Sequence, residues 1–172
     1  MKGTKIVVAA LAAALVAPAA SASGMAAADI VNADGEIVGE ATFEQAPTGV
    51  LIFVDVAHLP PGGHGIHLHS VGSCAPNFKA AAGHINPDKV MHGLRNPEGP
   101  DNGDLPNLFA AADGSAKAEF FTNRVSVSDG DMPALLDEDG SAVIIHENPD
   151  DHMTQPIGGA GGRLGCGIIR KR

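Results

Sequence analysis

The 172-residue chain has no tryptophan and no tyrosine, and only six phenylalanines. Whatever core it builds must therefore be aliphatic, with phenylalanine at a few positions. Cations are scarce as well: 11 Lys and Arg stand against 20 Asp and Glu, a net charge of −9. No basic stripe or polybasic cluster occurs, which argues against nucleic acid or an anionic membrane as partner. Arg170, Lys171 and Arg172 read as a solvated tail. Long apolar runs are missing too. The one candidate, Ile6 to Ala17, falls short of the roughly 20 residues that span a bilayer. It follows Lys2 and Lys5 and precedes Ala20-Ser21-Ala22, the order of parts in a secretion leader. Residues 1–22 are accordingly expected to be a signal peptide, and 23–172 a single domain that works, free of membrane, in a periplasm or beyond. An uncleaved anchor is the rival reading, and the shortness of the run speaks against it. No Arg-Arg pair precedes the run, so a twin-arginine route is not indicated. Without Lys2 and Lys5 the net charge becomes about −11.

Cysteine occurs only twice, at 74 and 166. An even pair in an oxidising compartment is most simply one disulfide. Closing a loop of about 90 residues, it would stabilise by roughly 4–5 kcal/mol in the chain-entropy account. Two free buried thiols are the alternative. A catalytic thiol is disfavoured because Cys166 sits in an apolar, strand-like run.

Sustained helical periodicity is also absent; the text is short strands punctuated by Gly, Pro and Asp. Ala27 to Asn32, the tight-turn signal Asp34-Gly35, and Glu36 to Glu44 predict a hairpin. Val50 to Val56 is nearly continuous in β-branched and aromatic residues. Asn107 to Ala112, Asp113-Gly114 and Ser115 to Thr122 predict a second hairpin. Ser141 to His146 and Leu164 to Ile169 complete the set, and Asp131 to Asp137 has room for one helical turn. The fold expected is all-β, a β-sandwich or barrel of about eight strands. Two segments interrupt it, Ser70 to Pro106 and Glu147 to Gly162. Loops of that length are usually functional, and these are expected to wall a site.

What the chain does have is histidine, at 58, 64, 67, 69, 84, 92, 146 and 152. His67 and His69, two apart, share one face of an extended strand and can share a metal; a metal-free surface or core pair is the plain alternative. His84 and His92 lie in the first long loop, followed by Asp101 and Asp104. His146 ends the apolar run Ala142 to Ile145, where strand meets loop. Imidazole suits copper and zinc, and a carboxylate oxygen is acceptable to zinc. A two-metal site is the reading that uses all of these residues.

The segments His64-Gly-Ile-His-Leu-His69, Gly83-His-Ile-Asn-Pro87, Gly103-Asp-Leu-Pro106, Val143-Ile-Ile-His-Glu147 and Gly161-Gly-Arg-Leu-Gly-Cys166 resemble the copper/zinc superoxide dismutases, most closely the exported bacterial branch. The likeness runs in order over essentially the whole of 23–172. It implies a Greek-key antiparallel sandwich or flattened barrel. It also implies conversion of two superoxide anions and two protons to dioxygen and hydrogen peroxide by Cu(II)/Cu(I) cycling. Copper would be held by His67, His69, His84 and His146, with His84 bridging to zinc. Zinc would take His84, His92 and Asp104. Asp150 would bond ligand histidines of both metals, Arg163 would receive the anion, and Cys74 and Cys166 would be the family's disulfide. His64 would brace the copper loop. The resemblance leaves assembly open between monomer and homodimer.

One position departs from the pattern. Where the family has its remaining zinc histidine, three residues before Asp104, this chain has Asp101. Either zinc accepts two histidines and two aspartates, or zinc is weak or absent and Asp101 is an ordinary loop carboxylate. Glu147 to Gly162 also carries no lysine or arginine, so steering of superoxide falls to Arg163, or to Lys79 and Lys89. His58 and His152 have no motif partner and read as incidental surface residues. A copper store or carrier on the same fold is the rival function, though it would have no need of Arg163 and Asp150.

Overall fold

The computed structural model describes residues 24–172; the expected leader, 1–22, lies outside the described residues. Strands form where apolar and polar residues alternate. In β1 (Met25–Val31), Ala26, Ala28 and Ile30 point inward, and in β3 (Gly49–Val56) Val50, Ile52, Val54 and Val56 do the same. Between them runs β2 (Ile37–Ala46). The first hairpin forms as expected: the Asn32 side chain accepts the amides of Asp34 and Glu36, both at 3.0 Å.

The remaining strands are β4 (Gly62–His64), β5 (Ile66–His69), β6 (Leu108–Ala110), β7 (Ala116–Thr122), β8 (Ala142–His146), β9 (Arg163–Ile168) and β10 (Arg170–Lys171). One antiparallel sheet runs in the order β5-β8-β9-β1-β2-β3-β7, with β10 also on β1, and β4 and β6 make a separate two-stranded ribbon. The non-consecutive neighbours β5/β8, β9/β1 and β3/β7 are the crossovers of a Greek key, and the curled sheet is the all-β barrel expected. Ile30, Phe43, Ile52, Ile66 and Leu68 are fully buried inside it, each stabilising the fold by about 1.5–3 kcal/mol.

Two expectations fail. The second hairpin is not one, because β6 pairs with β4 and β7 pairs with β3. The chain turns at Asp113-Gly114, but it changes sheet there. Residues 131–137 form no helical turn; Ser126 and Ala134 bridge in parallel instead, and the Ser126 hydroxyl donates to Ser128 O and Met132 O.

Strands β5 and β8 are buried on both faces. Ile66, Leu68, Val143 and Ile145 face the main core. Ala142 and Ile144 face outward into a second cluster with Phe78, Ala81 and Cys166. His67, His69 and His146 share that outward side by strand parity. The histidine cluster therefore lies outside the barrel, beneath the two long loops. The Cys74–Cys166 disulfide forms, with Cα atoms 5.8 Å apart, and ties the first loop to β9.

Candidate metal centre

The first long loop returns along the outer edge of β5. Leu68 N donates to Gly103 O at 2.9 Å, Ile85 N to Leu68 O at 2.9 Å, and Gly103 N to Ile85 O at 3.0 Å. These bonds set His84 beside His69 and Asp104 beside His67. Only glycine allows so close a pass at 103, where a Cβ would sit 2.2 Å from Leu68 O. A strand pair and a loop pair thereby become one cluster.

In four neighbouring histidines one buried ring nitrogen has no hydrogen-bond partner: His67 Nδ1, His69 Nε2, His84 Nε2 and His146 Nε2; a fifth, His152 Nδ1, lies apart, beside Asp150. The opposite nitrogen is held in each of the four. His67 Nε2 donates to Asp150 Oδ2 at 2.9 Å, His69 Nδ1 to Ala82 O at 2.9 Å, His84 Nδ1 to Asp101 Oδ2 at 2.9 Å, and His146 Nδ1 to Gly161 O at 3.3 Å. The rings crowd together, with His67 and His84 centroids 4.1 Å apart and His67 and His146 4.9 Å apart. A buried nitrogen without a partner is costly; His67, His69 and His84 bring ligand atoms within 4.8 Å of one another, with the His146 ring beside them, a group that fits a cation with imidazole ligands. Burial, and then neighbouring His84 and Arg163, push His69 down to about 2. Burial, and then His67, push His146 down to about 3. Burial also lowers His67. Neutral imidazoles are the form that binds metal.

Behind His84 lies a second set of donors. Asp101 Oδ1 accepts Gly103 N at 3.0 Å, leaving Oδ2 on His84 Nδ1. Asp104 Oδ2 accepts Gly93 N at 2.7 Å and Asp101 N at 3.0 Å, leaving Oδ1 2.6 Å from His92 Nδ1 and 3.5 Å from His84 Nδ1. His84, His92, Asp101 and Asp104 thus bring two nitrogens and two oxygens within 4.8 Å of one another, a donor set that tetrahedral zinc accepts. Burial opposes charge on His92 most strongly, yet Asp104 and Asp150 together raise it to about 10. His84 is likewise raised against burial by Asp101 and Asp104. In the metal-free chain, protons hold the positive charge these carboxylates demand.

Asp150 lies between the two sets. Its Oδ2 accepts from His67 and its Oδ1 from His92 Nε2 at 3.1 Å. Gly158 is pressed against it at φ +58, and a Cβ there would meet Asp150 Oδ1 at 1.6 Å. Arg163 spans the first loop, donating through Nη1 to Phe78 O and through Nη2 to Ala82 O at 2.6 Å. It lines a cavity with His69, His84, Asp101 and Gln155. Lys79 and Lys89 do not line it. His64 is buried, its ring nitrogens 2.8 Å from His146 O and 2.7 Å from Pro60 O, a brace as expected.

His58 is exposed, as expected, but His152 is not incidental. Its amide donates to Asp150 Oδ1 at 2.6 Å, its ring lies 3.4 Å from Asp150 Oδ2, and Asn107 Nδ2 lies 3.3 Å from its Nε2. Asn107 also exchanges two bonds with the Asp150 backbone, both 2.8 Å. Neither residue carries a motif; only the repetition of an aspartate beside a histidine at 150–152 hinted at it.

The family model for copper/zinc superoxide dismutase matches residues 37–169. A Cu-Zn superoxide dismutase of Caulobacter vibrioides is 50% identical over 148 residues, covering 84% of this chain and 85% of its own length. A solved superoxide dismutase-like protein from Bacillus subtilis is 40% identical with a TM-score of 0.78, covering 82% of this chain and 95% of that one. The Cu/Zn superoxide dismutase of Brucella abortus is 30% identical with a TM-score of 0.69, covering 85% and 99%.

Proposed function

Because the chain belongs to the copper/zinc superoxide dismutase family, we propose that it dismutes superoxide at a copper site formed by His67, His69, His84 and His146. Two anions and two protons give dioxygen and hydrogen peroxide. The observation that carries the ligand set is four neighbouring buried imidazoles, each with one nitrogen unpartnered and the opposite one held, three of them with ligand atoms within 4.8 Å of one another. When bound, copper supplies one-electron exchange with superoxide, and zinc, which has no second accessible oxidation state, supplies charge and structure.

The chain's own residues do the rest. Arg163 has a planar fork of donors. Two N–H groups are fixed on Phe78 O and Ala82 O, so the guanidinium is held still against the cavity and can seat an anion beside His69 and His84. His84 faces the copper set with Nε2 and the carboxylates with Nδ1. A proton carried at Nε2 is placed to pass to the reduced anion, while Asp101 and Asp104 keep the ring oriented. Asp150 fixes the tautomers of His67 and His92 in one stroke.

We read Asp101 as the fourth zinc donor. An ordinary loop carboxylate would sit in water, whereas Asp101 is 3% exposed with Oδ2 on the bridging imidazole. Burying such a group without a cation is costly. The Cys74–Cys166 disulfide supports an oxidising, extracytoplasmic setting after removal of residues 1–22.

The test is metal content of the purified 23–172 protein with dismutation assayed on the same sample after copper loading. One copper and one zinc per chain with high activity is expected. Active protein with copper but no zinc would keep the enzyme and remove the Asp101 assignment. Stoichiometric copper without activity would leave a copper carrier.

A further inference from the structure

Arg124 follows β7 and belongs to none of the motifs, yet it reaches the turn that carries both zinc carboxylates. We propose that Arg124 is a positioning residue for the zinc site, clamping the Asp101–Asp104 turn by its main chain so that the two carboxylates are presented together. The proposal rests on the reading of Asp101 and Asp104 as zinc donors.

The guanidinium bridges the two ends of the turn. Nε donates to Asp101 O at 3.2 Å, and Nη2 donates to Asp104 O. The contact is returned, because Asn102 Nδ2 donates to Arg124 O at 2.7 Å. Bonds from Gly103 N, Asp101 N and the neighbouring loop amide Gly93 N to the carboxylates set the turn's shape, and Leu68 N, donating to Gly103 O, ties its middle to β5. Arg124 anchors its two ends to a second strand. Its own amide is anchored to Thr122 Oγ1 at 3.2 Å, and Thr122 pairs with Val50 in the main sheet. A rigid fork bridging two carbonyls also fixes their separation, which a lysine ammonium cannot do.

Charge adds a second reason. Replacing a neutral imidazole by Asp101 gives the site one more negative charge than a three-histidine, one-aspartate set. Among the described residues, Arg124 is the one Lys or Arg side chain hydrogen-bonded to this turn. Burial lowers its pKa, while Asp104 and Asp101 favour its charged form. Two carboxylates can therefore share one small turn with a cation behind them before any metal arrives.

The experiment compares the copper-free protein with R124M, R124K and N102A variants, reading zinc affinity by chelator competition and the visible d–d absorption of a cobalt(II) substitute. R124M should lose about 10- to 100-fold in zinc affinity, the range for groups that orient ligands, with altered cobalt bands. R124K should regain only part of the loss, and N102A should show a smaller loss in the same direction. A merely structural arginine would lower the melting temperature without moving the cobalt bands. Zinc affinity within twofold of wild type and unchanged bands in R124M and R124K would overturn the clamp, as would full recovery in R124K. Should R124M fail to fold, R124K and N102A decide the matter. A wild type that binds neither zinc nor cobalt defeats the zinc reading and this proposal together. A wild type that binds both while the variants match it defeats this proposal alone.

Discussion

His84 divides the centre into two unlike halves. On its Nε2 side the imidazoles lean on carbonyl oxygens or share Asp150, and burial keeps them neutral, with His69 at about 2 and His146 at about 3. On its Nδ1 side two carboxylates stand within reach, and His92 rises to about 10. The residue type is the same throughout; the balance between burial and the number of carboxylates on each ring decides its charge. His67 is hydrogen-bonded to one aspartate and is lowered, while His92 is bonded to two and is raised. One half consists of neutral imidazoles, each with its one proton turned away and a bare nitrogen facing its neighbours. The other is charge-compensated by protons, which zinc has to displace.

The largest expected effect removes the residue both halves share. His84→Ala should lower dismutation by at least about 100-fold and weaken copper and zinc binding together. Stopped-flow superoxide decay and metal analysis check this; normal zinc binding in the variant would show that the halves are independent. Next, Asp101→Ala should weaken zinc by more than the roughly 10- to 100-fold typical of an outer group, while copper stoichiometry holds at neutral pH. An unchanged zinc affinity would return Asp101 to the ordinary loop carboxylates.

The pH dependence of the metal-free protein sharpens the contrast further. His69 and His146 resist protonation in the fold, so the unfolded chain binds protons first and stability falls as pH drops below about 6.5. His92 behaves oppositely. Its contribution is complete below about 6.5 and is lost as pH rises toward about 10. Melting temperatures of EDTA-treated protein should therefore peak near neutrality, and a flat profile between about pH 5 and pH 9 would contradict two opposed halves. The smallest effect concerns approach. Arg163 is the one Lys or Arg side chain lining the cavity, beside Asp101, on a strongly negative protein. The rate should rise, by about twofold or less, as salt screens that repulsion; a falling rate would reveal steering cations beyond the rim.

Much of the site was legible before the fold. The parity of His67 and His69 on one strand, and the position of His146 at a strand end, needed only the period of a β-strand. His84, His92, Asp101 and Asp104 stood out as a loop group of metal-ligating residue types, but their separate roles, and Asp150 and Arg163, came only through family resemblance, because loop geometry is not written in any local period. Arg124 and Asn107 were not legible by either route. Their roles arise from packing between segments 20 to 43 residues apart, and no spacing rule links such pairs. The misread hairpin at Asp113-Gly114 has a similar cause. A tight-turn signal specifies reversal of the chain but not the strand that receives it, and here β4 and β3 took the two arms.

The carbonyl of Ala82 accepts from both His69 Nδ1 and Arg163 Nη2. His69 belongs to β5 and Arg163 to β9, so a single loop oxygen acts as a common fiducial for side chains rooted in two different strands. Moving that one oxygen would misalign both at once, which makes residue 82 a point of shared failure.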